Sequence, residues 1–262
     1  MITFLTTIFF IFGLIIGSFL NVVIFRINTQ KTFGGRSACM ACKHQLSWYE
    51  LIPVFSFIFL WGRCLRCKSK ISAQYPLVEL TTGLLFGALF LKFQDIFLFN
   101  TPVFILTYAY YAAVFSLLLV IAVYDIKHKI IPDALALILA ILGFVGLFFV
   151  NIDSSLRFFP QMPSVLEFLS GVFITLPFFI VWLVSKGTWM GLGDAKLAVG
   201  LGWLFGISRA VSGVVIAFWM GAIVGLSLVF FSKKHGMRSE IPFAPYLVLG
   251  ALIAFLFEVH LF

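Results

Sequence analysis

Residues 103–129 read VFILTYAYYAAVFSLLLVIAVYDIKHK. No charged side chain occurs from Val103 to Tyr124, and then Asp125, Lys127, His128 and Lys129 follow almost at once. A run of that length exceeds the roughly 20 residues needed to cross a bilayer's hydrocarbon core at about 1.5 Å per residue. Apolar on every side, it belongs either in lipid or at the centre of a large protein. The rest of the chain decides between them. Of 262 residues, 62% are hydrophobic and only 11% charged, whereas a soluble domain is about half apolar and about a quarter charged. So few charges cannot cover a globular surface. The 34 Phe residues fall in continuous runs, unlike the alternating strands of a membrane barrel. An all-α polytopic membrane protein is expected.

Working outward, the apolar runs predict about eight transmembrane helices: Ile2–Phe25, Pro76–Leu91, Val103–Tyr124, Ile131–Val150, Val165–Ser185, Ala195–Gly206, Ala210–Phe231 and Phe243–Phe262. No positive charge precedes the first, so it reads as a span and not as a secretory signal. The basic residues orient the chain. With the N-terminus outside, Arg26, Lys31, Arg36, Lys43, Arg63, Arg66, Lys68, Lys70, Lys127, Lys129, Lys186, Lys196, Lys233, Lys234 and Arg238 face the cytosol. Only Lys92, Arg157 and Arg209 remain outside, which follows the positive-inside rule. The net charge of +8 is thereby explained without a nucleic-acid partner. Three regions are expected: residues 1–25 as the first span, 26–75 as a small cytosolic domain, and 76–262 as the main bundle. Within the cytosolic segment, the Pro-interrupted run Leu51–Trp61 is too short to span. It reads as packed core or as an interfacial segment. Gly13/Gly17, Gly83/Gly87, Gly202/Gly206 and Gly221/Gly225 stand at the GxxxG spacing of close helix packing.

All four cysteines fall in that cytosolic segment, as Cys39-Met-Ala-Cys42 and Cys64-Leu-Arg-Cys67. Each CxxC can turn two thiolates toward one ion, and two such pairs complete a tetrahedral S4 site. Zinc is the simplest occupant, since soft thiolates select it and nothing else suggests redox chemistry. A cytosolic location argues against disulfides. A four-ligand site is closed, so a structural role is expected.

The acids are few enough to weigh singly. Glu167 and Glu258 fall near the outer ends of helices, Asp95 and Asp153 in outer loops, and Glu240 among the basic residues of the last inner loop. Asp133 follows Pro132 at a helix start, where an acid is ordinary. Asp125 and Asp194 are different. Asp125 meets the negative pole of its helix dipole, an unfavourable place for an isolated charge. Asp194, in Gly191-Leu192-Gly193-Asp194-Ala195-Lys196, opens a helix beside glycines that admit another backbone. Both fall at the cytosolic membrane edge, where an unexplained acid is a functional candidate. Two carboxylates sharing a proton can activate water and polarise a peptide carbonyl. The competing account pairs Asp125 with Lys127 or Lys129, and Asp194 with Lys196.

At these residues the chain resembles the bacterial type IV prepilin peptidases, membrane aspartic peptidases of the GxGD class. The resemblance is carried by Gly17-Ser-Phe-Leu-Asn-Val-Val-Ile-Phe-Arg26, the two CxxC pairs with Gly62-Arg63-Cys64, and Gln74-Tyr-Pro-Leu-Val-Glu79. It continues through Asp125, Ile131-Pro-Asp133, Gly191-Leu-Gly-Asp-Ala-Lys196 and Ile241-Pro-Phe-Ala-Pro-Tyr246, where Ala244 stands at a position more often Gly. The resemblance implies cleavage of prepilins or pseudopilins behind a short basic leader, at the cytosolic edge of the substrate's hydrophobic N-terminal helix. It also implies methylation of the new N-terminal amine from S-adenosylmethionine. It makes Asp125 and Asp194 the catalytic pair, with Gly191, Gly193 and Lys196 supporting, and Cys39, Cys42, Cys64 and Cys67 the metal ligands. Glu50 and Glu79, acids on a basic face, are candidates to contact the leader, the amine or the sulfonium; Glu79 equally suits a residue snorkelling to the interface. The implied location is the bacterial inner membrane. Against this stand a transporter using the two aspartates as an ion or proton site, and a non-catalytic assembly factor. Acids at one membrane edge and the lack of an evident inverted repeat argue against transport.

Overall fold

The computed structural model describes residues 1–29, 34–149, 162–231 and 241–260. Lys31, Asp153, Arg157, Lys233, Lys234, Arg238 and Glu240, used above in orienting the chain or weighing its acids, lie outside the described residues. Among the described residues eight α-helices form: α1 (Ile2–Arg26), the short α2 (Phe55–Phe59), α3 (Gln74–Phe99), α4 (Thr101–His128), α5 (Asp133–Phe149), α6 (Val165–Ser185), α7 (Leu192–Phe231) and α8 (Ala244–Leu256). Among the described residues, α1, α3, α4, α6 and α7 are long and apolar enough to cross a membrane, and α5 and α8 are shorter apolar helices. The chain is an integral membrane protein. Its 40-residue α7 would measure about 60 Å if straight, twice a bilayer core. It is not straight: Gly206 (φ 69, ψ 176) interrupts it, so its halves are the sixth and seventh spans expected from the sequence. The chain divides into two compact units, Met1–Asp95 and Ile96–Phe262.

In the first unit, α1 lies directly on α3. A Cβ on Gly13 would sit 2.7 Å from the Thr82 carbonyl oxygen, and one on Gly17 2.7 Å from Glu79 Cα. These glycines are the contact that the GxxxG spacing anticipates. Phe9 stacks on Phe90 at 4.6 Å and Phe25 on Tyr75 at 4.8 Å. Asn21, almost fully buried, donates from Nδ2 to the Tyr75 carbonyl at 3.0 Å.

Helix α3 runs on to Phe99, so Asp95 is a helical residue and not a loop residue. The Leu51–Trp61 run is not packed core. Pro53 and a left-handed Val54 (φ 62) divide it into a single 3₁₀ turn, Trp48–Leu51, and the five-residue α2. Pieces that short cannot bury both faces, and Trp48, Phe59 and Trp61 are 78%, 77% and 88% exposed. The interfacial alternative is the one this exposure suits.

The second unit is built around α7, which packs on α5, α6 and α8, while α4 packs on α5 and α8. Gly202 is its tightest seam with α6: an added Cβ would lie 2.7 Å from both Gly171 Cα and the Ser170 carbonyl oxygen. The Ser170 hydroxyl donates to the Gly202 carbonyl at 2.8 Å across the same seam. Gly206, by contrast, serves the backbone break and not packing. Asn100 caps α4 by accepting from the Val103 N–H, and Ser164 with Glu167 forms a capping box on α6. Arg209, expected in an outer loop, lies within α7 and is only 8% exposed.

Candidate functional site

Two separate assemblies of polar side chains stand out. The first comprises the two aspartates, both in the second unit. Asp125 lies in the last turn of α4, three residues before its end at His128. It is 5% exposed, and Asp194, in the first turn of α7, is 8% exposed. The charge on Asp125 acts directly on Asp194. Residues far apart in sequence are thus brought together as two buried acids. Asp125 Oδ2 accepts a hydrogen bond at 3.3 Å from the Ala244 backbone N–H, the first residue of α8. That segment, Ile241-Pro-Phe-Ala-Pro-Tyr246, carried resemblance but no chemistry in the sequence. Its proline-bracketed helix start presents a backbone donor to the carboxylate, because the first N–H groups of a helix have no partner within it.

Lys196 is placed differently from the competing account above. Lys196 Nζ donates to Asp133 Oδ1 at 2.6 Å, linking the starts of α5 and α7. Asp133 is therefore a helix-start residue that also anchors the Lys of the GxGD segment. Gly193 packs on Ile131, with a Cβ position 3.0 Å from Ile131 Cβ. Gly191 has open surroundings, the nearest being the Gly193 nitrogen at 3.9 Å.

The second assembly is the cysteine cluster of the first unit. The Sγ atoms of Cys39, Cys42, Cys64 and Cys67 lie within 4.8 Å of one another. Each CxxC adopts the same turn. Cys39 N–H donates to the His44 carbonyl and Lys43 N–H to Cys39, while Cys64 N–H donates to Ser69 and Lys68 N–H to Cys64. Lys43 (φ 60) and Lys68 (φ 59) take the left-handed conformation at matching positions. Cys39 and Cys67 sulfurs are 3.8 Å apart. Tetrahedral zinc with bonds of about 2.3 Å requires sulfurs about 3.8 Å apart, whereas a disulfide needs about 2.05 Å. The backbone N–H groups of Cys42 and Ala41 pull the Cys39 thiol down to about 6, favouring the thiolate a metal needs. The donor set is compatible with structural zinc.

The two candidate glutamates also lie in the first unit, and both are 8% exposed. Glu79 Oε2 accepts from the Val54 N–H at 2.7 Å, holding the strained left-handed valine. It faces inward and does not snorkel. Glu50 Oε2 accepts from the Ser47 N–H at 2.9 Å and lies 3.8 Å from His44 Nε2. Its Oε1 is buried without a protein partner, as are Asn21 Oδ1 and Gln74 Nε2. Asn21 was missed as a candidate, although a lone amide in an apolar helix was the available signal.

Comparison with known proteins identifies the family. Residues 11–93 match the bacterial peptidase A24 N-terminal domain, and residues 112–226 match the type IV leader peptidase family. A prepilin leader peptidase/N-methyltransferase of Bacillus subtilis is 31% identical over 96% of this chain and 94% of its own length. Proteins of the same description from Myxococcus xanthus and Pseudomonas aeruginosa are 35% and 31% identical, over 88% and 93% of this chain and 65% and 87% of their own lengths. No solved structure matches significantly.

Proposed function

Because the chain belongs to the type IV leader peptidase family, we propose that it cleaves the leaders of prepilins or pseudopilins and methylates the amine so exposed. The observation that carries this reading is the Asp125–Asp194 pair, two buried acids at separate helix ends, with Asp125 near enough for its charge to be felt at Asp194. In the cleavage step the ionised carboxylate takes a proton from water, whose oxygen attacks the scissile carbonyl carbon. The protonated carboxylate gives its proton to the carbonyl oxygen. Collapse of the resulting tetrahedral intermediate breaks the C–N bond, and the nitrogen leaves with a proton taken from the pair. The Ala244 N–H fixes the orientation of Asp125. Lys196, Asp133 and Gly193 hold the segment that presents Asp194. Transport receives no support from the family matches.

The distribution of basic residues supports a topology with both aspartates and residues 26–75 on the cytosolic side of the inner membrane and the N-terminus outside. There they meet the edge of a substrate's hydrophobic N-terminal helix. Residues 26–75 act as a small zinc domain and residues 76–262 as the peptidase bundle. Zinc held by Cys39, Cys42, Cys64 and Cys67 would join the two CxxC turns and stabilise that domain. S-adenosylmethionine would supply an electrophilic methyl group. Glu50 suits the sulfonium or the substrate amine, because its Oε1 is a buried acceptor without a partner. Glu79 serves the domain's structure through Val54.

The test is cleavage of a model prepilin by purified protein, with mass spectrometry of the new N-terminus. Asp125→Asn and Asp194→Asn should each abolish cleavage while leaving zinc content and thermal stability close to wild type. Glu50→Gln should spare cleavage and reduce the added methyl mass. Cleavage by either aspartate variant would refute the pair.

A further inference from the structure

Gly221 and Gly225 stand at the same spacing as Gly13 and Gly17, yet their surroundings differ. A Cβ on Gly13, Gly17 or Gly202 would strike the backbone of another helix at 2.7 Å. The nearest atoms to a Cβ on Gly221 are the ring edges of Phe243 and Tyr246 at 3.6 Å, and to one on Gly225, Ile241 Cδ1 at 3.6 Å. These are side chains at ordinary contact distance, so the two glycines do not serve a backbone seam. Beside them is a cleft of about 280 Å³, lined by Phe218, Gly221 and Ala222 from α7 and by Ile241, Phe243 and Tyr246. All six belong to the second unit. The cleft is just smaller than the roughly 300–1,000 Å³ of small-molecule sites, which suits a side chain better than a whole ligand. Phe218 is half exposed and Ala222 exposed, so it opens at the surface.

The cleft adjoins the carboxylate pair. Phe243 immediately precedes Ala244, whose N–H donates to Asp125 Oδ2 at 3.3 Å. Standard backbone lengths then put Phe243 Cα within about 6 Å of that oxygen. The break in α7 returns the opposite wall to the same level. Asp194 lies 12 positions before Gly206 and Gly221 15 positions after it, about 18 and 22 Å along the two half-helices. The Phe218 and Phe243 rings meet at 4.9 Å, and Phe243 lies 6.4 Å from Tyr246. Phe178 of α6 backs Phe218 and Phe243 at 6.1 and 6.3 Å, which holds the aromatic wall in place.

No charged side chain lines the cleft, and the Tyr246 hydroxyl is the one polar group among its lining side chains. A basic residue entering it would lose hydration without a counter-charge. An apolar side chain would leave water and meet aromatic rings. Consecutive residues of a peptide are 3.8 Å apart at Cα, so a peptide held at Asp125 brings the side chains flanking its scissile bond within reach of Phe243. Where the bond joins a basic leader to a hydrophobic helix, the apolar neighbour is the residue after the bond. Resting on the leader cleavage described above, we propose that this cleft is a subsite for a large apolar side chain on the residue immediately after the scissile bond. Its depth is set by the absence of a side chain at Gly221, and its walls by Phe218, Phe243 and Tyr246.

The experiment measures kcat/KM of the full-length protein in detergent on two model prepilins that differ only in the residue after the bond, Leu in one and Ala in the other. Wild type should prefer the Leu substrate about tenfold or more, the discrimination a hydrophobic pocket gives for a few methylenes. Gly221→Val puts a branched side chain into the cleft. It should cost the Leu substrate about tenfold and leave the Ala substrate within about threefold of wild type, so that the preference disappears. If Gly221→Val does not fold, Ala222→Leu at an exposed position decides by the same comparison. A wild type that cleaves both substrates equally would overturn the subsite and leave leader cleavage standing. So would a folded variant that keeps the Leu preference, whether both rates fall together or neither changes. Cleavage of neither substrate by folded, zinc-loaded wild type would overturn the proposed function and the subsite with it.

Discussion

The two glycines of the GxGD segment should differ sharply in what they tolerate. A Cβ on Gly193 would lie 3.0 Å from Ile131 Cβ and 3.3 Å from both Cγ1 and Cδ1, about 0.5–1 Å inside the optimal carbon–carbon separation. Relief requires α7 to shift away from the Ile131–Asp133 segment, and Asp194 is the next residue. Overpacking of this kind costs about 1–3 kcal/mol, while Ala in place of a helical Gly returns about 0.5–1 kcal/mol. Gly193→Ala should therefore lose at most about 2.5 kcal/mol of stability by that balance. Displacing a reacting group by about 1 Å can cost about 100-fold in rate, so kcat/KM should fall about 10- to 100-fold. Gly191→Ala meets open space and should stay within about threefold of wild type, as for a substitution free of strain. Leader cleavage and thermal melts of both variants are the assay. Ile131→Val, which removes the Cδ1 contact, should recover part of the loss in the Gly193→Ala background. Equal damage from the two glycine substitutions, or no coupling between Gly193 and Ile131, would refute the reasoning.

Further predictions concern the supporting structure. Gly202→Val should prevent stable folding, because the atoms it strikes are the backbone of α6 at 2.7 Å; a melt and detergent gel filtration check this. Asp133→Asn or Lys196→Met removes a 2.6 Å ion pair that is 78% and 41% exposed at its two side chains, so stability should fall by less than about 1 kcal/mol. The metal centre should depend on pH in one direction. The Cys39 thiol, held down to about 6, contributes as thiolate above that value and loses its charge as pH falls through it, so zinc retention measured by atomic absorption should decline on acidification from about pH 7 to pH 5. Cys64→Ser should release zinc and lower the melting temperature, since Cys64 is the buried ligand.

The membrane fold was legible because continuous apolar runs of span length have one physical solution. The cysteine cluster was legible because doubled CxxC spacing sets its own geometry. Asp125 and Asp194 stood out as candidates because each is an acid at a helix end flanked by long apolar stretches. Other features depended on three-dimensional partners. No local signal shows that the Ala244 N–H is aimed at Asp125, or that Lys196 reaches Asp133 and not its near neighbour Asp194. Arg209 resembled a loop cation because its run looked broken there. The structure bridges that break with Gly206 and buries the arginine. The aromatic run from Trp48 to Trp61 had the composition of a core, but Pro53 and Val54 keep it from forming any element long enough to bury itself.

The central claim, that Asp125 and Asp194 form one catalytic pair, is tested most directly by mass spectrometry of a model prepilin incubated with purified wild type, Asp125→Asn and Asp194→Asn. The wild type should release the leader and yield a defined new N-terminus, and each variant, folded and zinc-loaded, should leave the substrate intact. Cleavage at the same bond by either folded variant would contradict the account.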